Sequence, residues 1–515
     1  MHQRPARGKR SSFAGAAGRA KARGARPAGT DGSGDPRGVV AHLLVHQVRR
    51  FPDLEIDALR TDHLRPLDAA FAHAIYDAVI RRWLTMQFLL QLGCDKPWES
   101  LDPRARAAML CGAAQLLFLE KVPQHAAVHE SVEWTKRVAP GRAASLVNAV
   151  LRRLADLVRR DEAIPAPTGA VREQDSGEGA SVLRHAPWSD RRDELPLSNG
   201  GTLQLAEPIL PRDPLERLSV ATSHPIELLR MWAKALSDAP ATTPNALRRL
   251  ALHSLTHAPV ILNISHIDPS APPIPCTTAH IAPGHVVFSG PHDELTRMLK
   301  ERDDVWAQDP ASSLAVERVA DLDPEVVIDA CAGRGTKTRQ LRAVFPRACI
   351  IAADADPIRS ARLRQVFPTR ETLGTTGVDL RPGVRVVEYD RLIDFAGRAD
   401  LVLLDVPCSN TGVLARRVEA KYRFSERQTE QLTGVQRQIA ADALRLLRRP
   451  GSGKAPGRIL YSTCSLDPRE NEHMARWFER WHSFRVVREH RRMPEGVPGE
   501  PPERYSDGAY AALLE

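Results

Sequence analysis

Apolar residues recur at helical spacing through the first third of the chain. Residues 38–51 place Val39, Val40, Leu43, Leu44 and Val48 on one stripe. Residues 67–92 repeat the pattern with Phe71, Ile75, Val79 and Ile80. Residues 103–119 begin with a proline, which suits the first turn of a helix because its missing N–H would be unpaired there anyway. Residues 123–138 and 141–157 add two more helices. No strand pattern interrupts them, so residues 36–158 are expected to form an all-α domain. Between 159 and 200 the periodicity is lost in a polar stretch rich in Pro, Gly and Ser, as a linker would be.

The pattern then changes twice. Residues 201–305 combine a helix at 226–236 with strands at 260–264 and 285–288, which gives a small α+β module. From residue 306 to 515, short apolar runs alternate with helices. Strands are expected at 326–330, 348–353, 384–388, 401–404 and 458–461, with helices at 338–344 and 428–447. Such alternation implies a mostly parallel, doubly wound α/β sheet. Ligands in these sheets bind outside the carboxyl ends of the strands.

Composition refines this picture. The 515 residues are 43% hydrophobic and 26% charged, which excludes a wholly disordered chain. No apolar run approaches the roughly 20 residues of a membrane helix, so no membrane partner is expected. The formal charge is +9, and a basic chain invites a polyanion. Eight basic residues between Arg4 and Arg26, with no acid before Asp31, account for nearly all of it. Residues 1–35 therefore read as a disordered basic arm, and the remainder is near neutral. The seven cysteines are widely spaced, without a Cys-x-x-Cys pair. Neither a zinc site nor a disulfide framework is expected, and a reducing cytoplasm fits best.

The chemistry lies at the predicted strand ends. The first strand runs through Asp329 into Cys331, Ala332, Gly333, Arg334, Gly335, Thr336 and Lys337. A glycine-bearing strand-to-helix turn lets backbone approach a ligand, although a tight structural turn has the same appearance. Asp354 follows Gly335 by 19 residues, at the end of the next strand, where an acid is placed for a ribose hydroxyl. The loop has neither the third glycine of a dinucleotide fingerprint nor a P-loop lysine. A nucleoside without phosphates, such as S-adenosyl-L-methionine, fits better. Two further strand ends carry Asp405-Val-Pro-Cys408-Ser-Asn410-Thr-Gly412 and Ser462-Thr-Cys464-Ser465. A lone cysteine in a turn is usually small core filling. Two of them aimed at one crevice point to thiolate chemistry. Cys94, Cys111, Cys331 and Cys349 are expected to pack structurally.

Asp-x-Pro-Cys-Ser-x-Thr-Gly, Ser-Thr-Cys-Ser and Glu470-Asn-Glu472, in this order, resemble the RNA cytosine-C5 methyltransferases with two motif cysteines. Ala126-Ala-Val-His-Glu-Ser-Val132 and Val147-Asn-Ala-Val-Leu-Arg-Arg-Leu154 resemble the RNA-binding domain of the antitermination factor NusB. The pairing is the architecture of the bacterial 16S rRNA (cytosine-967-C5) methyltransferases of Sun or Fmu type. The resemblance implies a NusB-like domain, an intermediate RNA-binding module and a Rossmann-like methyltransferase domain, acting as a monomer on RNA, with 16S rRNA the expected one. It implies that Cys464 attacks C6 of cytosine, that Cys408 assists product release and that Asp405 contacts the cytosine edge. Asp354 would hold the ribose of S-adenosyl-L-methionine, Asp390 its adenine side, and the 331–337 loop its methionine part. Arg416, Arg417 and Lys421 are candidate phosphate contacts. Metal is not implied.

This sequence departs from the family at Gly333-Arg334, where Ala-Pro is usual, at Thr336, where Gly is usual, and at Asn410, where Gly or Ala is usual. Two other functions stay open: methylation of another RNA such as tRNA, and a non-catalytic RNA-binding or ribosome-assembly role. The charge distribution makes one prediction. Deleting residues 1–35 lowers RNA affinity and flattens its salt dependence but leaves methyl transfer intact. A truncated protein without activity would contradict it.

Overall fold

The computed structural model describes residues 34–56, 59–158, 187–237, 245–368, 380–449, 451 and 455–515. Most of the basic arm, and residues 159–186 of the expected linker, lie outside the described residues. The N-terminal domain consists of five helices: α1 (Pro36–Arg50), α2 (Pro66–Gln91), α3 (Pro103–Phe118), α4 (Gln124–Val138) and α5 (Ala143–Leu157). Each lies within two residues of its predicted bounds. Two starts follow from local chemistry. Asp35 and Asp102 accept hydrogen bonds from the backbone N–H of Arg37 and Arg104, and each precedes a proline in the first turn.

The expected linker is shorter than 159–200. Trp188 is buried, and Glu194–Pro196 pairs antiparallel with Thr202–Gln204. Leu195, Leu203 and Leu210 bury their side chains in the same apolar core as the five helices. Those few anchors outweigh the polar composition around them. Helices Pro214–Thr222, Ile226–Ser237 and Ala246–His253 join this core. A four-stranded antiparallel sheet follows, in the order Thr277–Ala279, His285–Phe288, Val260–Asn263, Trp306–Ala307. Its last strand lies past residue 305, so the intermediate module and the α/β domain share a sheet.

The α/β domain is built on seven strands, labelled β1 (Val326–Asp329), β2 (Cys349–Ala352), β3 (Gly383–Val386), β4 (Leu401–Asp405), β5 (Arg458–Thr463), β6 (Val486–Arg492) and β7 (Ala509–Leu514). Their spatial order is β6-β7-β5-β4-β1-β2-β3. Strands β1 to β5 run parallel, and β7 runs antiparallel to both β5 and β6. β1 and β2 are buried along their whole length, as central parallel strands must be. The chain leaves β1 in one direction through β2 and β3, then returns to β4 on β1's other side. That reversal opens a crevice at the carboxyl ends of β1 and β4. Strands β6 and β7 did not stand out in the sequence. β6 is an edge strand of half-exposed charged residues, and β7 is a small-residue run, Ala-Tyr-Ala-Ala-Leu-Leu.

The two ends of the molecule meet at a break in α2. Arg82 has non-helical angles (φ −121°, ψ 22°), so the helix is kinked there. A kink frees backbone groups that burial would leave unpaired. Residues from the α/β domain pair them. Tyr422 Oη donates to the Ile80 carbonyl at 2.8 Å and accepts from the Trp83 N–H at 3.2 Å. Lys421 Nζ donates to the Arg81 carbonyl at 2.8 Å. Lys421 is fully buried. Burial, then the charges of Arg82 and Arg81, push its pKa well below the ordinary lysine value. The expected phosphate contact at Lys421 is therefore corrected: a buried amine facing two guanidiniums serves the kink and meets no RNA. Tyr422→Phe orphans the Ile80 carbonyl and the Trp83 N–H at a cost of about 1–3 kcal/mol. Urea denaturation should show a lower midpoint. An unchanged midpoint would mean the hydroxyl does not hold the kink.

Candidate functional site

A cavity of about 940 Å³ opens over the carboxyl ends of β1, β2, β4 and β5. Its floor is the turn after β1. Gly333 (φ +57°) and Gly335 (φ +86°) take left-handed conformations. A Cβ on Gly335 would come within 2.8 Å of Phe367 and Leu363, whereas one on Gly333 would meet open space. Thus Gly335 is needed for packing and Gly333 for its backbone angle. Arg334 is exposed and lines the cavity with its neighbours Cys331, Ala332, Gly333, Thr336 and Lys337.

Two carboxylates face this turn with different assignments. Asp354 is almost wholly buried. It accepts from the Gly333 N–H (2.8 Å) and the Asp356 N–H (2.8 Å), and pairs with Arg359 (3.1 Å). It shapes the loop as well as lining the cavity. Asp329 accepts from the Thr338 hydroxyl through Oδ2, and its buried Oδ1 has no partner. Burial, reinforced by the charge of Asp405, raises its pKa to about 7. Asp390 lies four residues past the end of β3. It sits beyond β3 in the short 3₁₀ turn Tyr389–Phe395, exposed and outside the cavity wall, where Tyr389 stands instead. The strand itself stops at Val386, before the turn.

Lys337 and Asp405 join the β1 and β4 ends, Nζ to Oδ2, at 2.8 Å. Burial pulls the lysine pKa down, but the charge and hydrogen bond of Asp405 hold it above the ordinary value.

The two cysteines lie side by side, Sγ to Sγ, at 3.3 Å. Cys464 donates its thiol proton to Asn410 Oδ1 at 3.3 Å. The proton between the sulfurs therefore belongs to Cys408. That hydrogen bond, burial, and the nearby charges of Cys464 and Glu470 push the Cys408 pKa well above the ordinary thiol value. Cys408 keeps its proton, and Cys464 is the more open of the two.

Behind the thiols, Glu470 binds both loops at once. It accepts from the Ser409 N–H (3.0 Å) and hydroxyl, the Ser465 hydroxyl, and Gln436 Nε2 (3.0 Å). Asn471 adds hydrogen bonds from Thr463 Oγ1 and to the Ser465 carbonyl. Gly412 passes so close that a Cβ would lie 2.7 Å from the Cys464 carbonyl. The Glu-Asn-Glu triplet was visible in the sequence, but its task of tying two loops together was not.

Arg416 and Arg417 both line the cavity, with different freedom. Arg416 donates to Asp507 (2.7 Å), Asp309 (3.1 Å) and the Pro259 carbonyl (3.1 Å). Its role as a phosphate contact is corrected: two carboxylates already hold it, and it clamps the intermediate module to the cavity rim. Asp309, buried beside Asp507, has its pKa raised to about 6. Arg417 is exposed, with Glu419 at 3.8 Å. Asp309 was missed in the sequence, although Asp309-Pro310 carries a helix-start signal. Among the described residues, no group of three or more His, Cys, Asp or Glu is placed to hold a metal, and no helix is long and apolar enough to cross a membrane.

Residues 318–514 match the family described as 16S rRNA methyltransferase RsmB/F, and residues 39–156 match the NusB family. A Xanthomonas campestris protein named ribosomal RNA small subunit methyltransferase B is 28% identical, over 79% of this chain and 78% of its own. A Vibrio cholerae protein of the same name is 27% identical, over 88% and 90%. The crystal structure of PH0851 shares the fold at a TM-score of 0.62 and 19% identity, over 93% of this chain and 98% of that one.

Glu470→Gln sets an amide N–H₂ against four converging donors. It should cost about 1–3 kcal/mol, read as a lower urea midpoint, and should speed alkylation of Cys408. Unchanged stability and reactivity would show that the carboxylate does not hold the loops.

Proposed function

We propose, from the RsmB/F-family methyltransferase domain that this chain carries behind a NusB-family domain, that it methylates C5 of a cytosine in 16S rRNA. Cytosine 967 is the site its Sun/Fmu-type resemblance indicates, and the cytoplasm is where it acts. One observation carries the proposal: two free thiols in contact at adjacent strand ends, beside a lysine–aspartate pair, in one cavity.

The cavity suits S-adenosyl-L-methionine together with an extruded base. Its volume is at the upper end of the roughly 300–1,000 Å³ of small-molecule pockets. The orphaned Asp329 oxygen and the open space over Gly333 provide a polar partner and backbone access for a nucleoside cofactor. S-adenosyl-L-methionine, when bound, supplies an electrophilic methyl group. Loop 331–337 and Asp354 would hold it.

Cytosine C5 is a poor nucleophile until C6 is saturated. The target base leaves its stack to enter the crevice. Cys464, once a base has taken its proton, adds to C6 as thiolate; the electron pair moves to C5, which takes the methyl group as the bond between that methyl and the donor sulfur breaks. A base then removes the C5 proton. The returning electron pair re-forms the C5–C6 double bond and breaks the C6–S bond. Asp405, oriented by Lys337, contacts the cytosine edge. Cys408 assists release in a specific way: its retained proton faces the Cys464 sulfur and can hydrogen-bond to the departing thiolate. Arg417 is the phosphate contact that exposure favours.

Incubating Cys408→Ala with methyl donor and a 16S rRNA fragment should accumulate a covalent protein–RNA adduct. Cys464→Ala should form none and should lose at least ~10³-fold in rate, as nucleophile deletions do. An adduct that survives loss of Cys464 overturns the assignment. Bisulfite mapping then names the cytosine, and a modified tRNA would favour the other RNA. Failure to bind S-adenosyl-L-methionine in calorimetry would favour the non-catalytic role.

A further inference from the structure

We infer that the exposed face of the helix Glu472–His482 is a docking surface for the RNA strand beside the target nucleotide, with phosphates at Arg476 and Arg480 and a base on Trp481. The inference rests on RNA being the substrate.

The helix has two unlike faces. Met474, Ala475 and Phe478 bury one of them in the core of the α/β domain. His473, Arg476 and Arg480 fall at i, i+3 and i+7 on the opposite face, and all three are exposed. The two acids of the helix are engaged by β6 instead. Glu472 pairs with Arg491 at 3.5 Å, and Glu479 accepts from the Val486 N–H at 3.2 Å. Nearby arginines are neutralised: Arg485 by Glu515, Arg488 by Asp321 and Arg491 by Glu472. Arg476 and Arg480 are in no ion pair among the described residues. The stripe is therefore a local excess of positive charge.

An aromatic ring completes it. Trp481 is 64% exposed, and among the described residues no other Phe, Tyr or Trp is exposed. Its neighbour Trp477 packs edge-on against Phe478 and His482. Trp481 is in no such pair, and the Arg480 guanidinium lies 5.3 Å from its ring centre. Free cations beside an open indole are what a single strand meets in sequence-tolerant binding, phosphates on the cations and a base on the ring. An acidic protein segment would meet the same cations, but it has no planar base for the indole.

The position joins this surface to the site. The helix begins directly after Glu470 and Asn471, and Asn471 donates to the Ser465 carbonyl at 2.9 Å, next to Cys464. At about 1.5 Å per residue, Arg476 and Trp481 lie about 7.5 and about 15 Å along the axis from that anchor. A strand whose base enters the cavity reaches the stripe within a few nucleotides. On the cavity wall, Arg359 is held by Asp354, and Arg416 by Asp309 and Asp507. Phosphate contacts near the site thus fall to guanidiniums that no carboxylate holds.

The test separates charge from stacking. The double variant Arg476→Gln, Arg480→Gln removes both cations and keeps good helix formers. Binding of a labelled 16S rRNA fragment is followed by fluorescence anisotropy from about 50 to about 200 mM salt. The slope of log affinity against log salt should shrink by about 1.4, at ~0.7 for each single-strand phosphate. Trp481→Ala should weaken binding about tenfold with the slope unchanged, and Trp481→Phe should restore most of it. All variants should keep the wild-type urea midpoint, so that lost binding is not lost folding. A wild-type slope in the double variant, or wild-type affinity in Trp481→Ala, overturns the inference while the RNA-methyltransferase reading stands. A wild-type protein that binds neither this fragment nor tRNA removes that reading, and the inference with it.

Discussion

The geometry of the crevice depends on one buried carboxylate. Glu470 accepts hydrogen bonds from both cysteine loops, at Ser409 and Ser465, whose hydroxyls also meet each other and the buried Thr411 hydroxyl. β4 and β5 are adjacent and in register, Asp405 opposite Ser462. Register alone brings the loops to the same height. It does not set their separation, because loops leaving parallel strands diverge with the sheet's twist. The glutamate helps close that gap, together with the Gly412 N–H to Cys464 carbonyl and Leu466 N–H to Thr411 hydroxyl bonds. Its own desolvation raises its pKa, and the converging donors offset part of that cost.

The same logic of bound ends runs outward. The loop after Cys408 passes Gly412, pinned against Cys464 and Gly508, then Arg416, clamped to Asp309 and Asp507, then Lys421 and Tyr422 in the kink of α2. Arg81, next to the kink, donates to the Ala415 carbonyl on that loop. A continuous run of some 15 residues thus touches the second thiol at one end and the N-terminal helical domain at the other. The helical domain is therefore part of the scaffold that holds the Cys408 loop.

How much of this the sequence revealed follows from what each element needed. The five helices and the five parallel strands were legible because each buries an unbroken apolar stripe or run. The site was legible where chemistry sits next to such a strand: Cys408, Asp405 and Cys464 needed no tertiary information beyond the strand end. Asp390 was read as following its strand directly, whereas β3 stops at Val386 and a turn intervenes. Lys421 was misjudged because burial cannot be read from a single lysine amid arginines. β6 and β7 were not seen because an edge strand of charged residues and a run of alanines carry no strong periodicity. The task of Glu470 was hidden because hydrogen-bond convergence is a property of four chain segments meeting, not of any one of them.

Charge has a different meaning once side chains are placed. Outside the arm, acids and bases nearly cancel, and an RNA-binding face would require its arginines to be free. Several are not. Arg81 and Arg82 are buried in the domain interface, bonded to the carbonyls of Ser254, Ala415, Ala221 and Pro196. Burial, and then Arg81's charge, lower the pKa of Arg82 to about 9. Arg416 is held between two carboxylates. These guanidiniums serve as multi-pronged donors that join carbonyls from different domains, work that lysine's single point charge does poorly. The abundance of arginine is thus partly architectural.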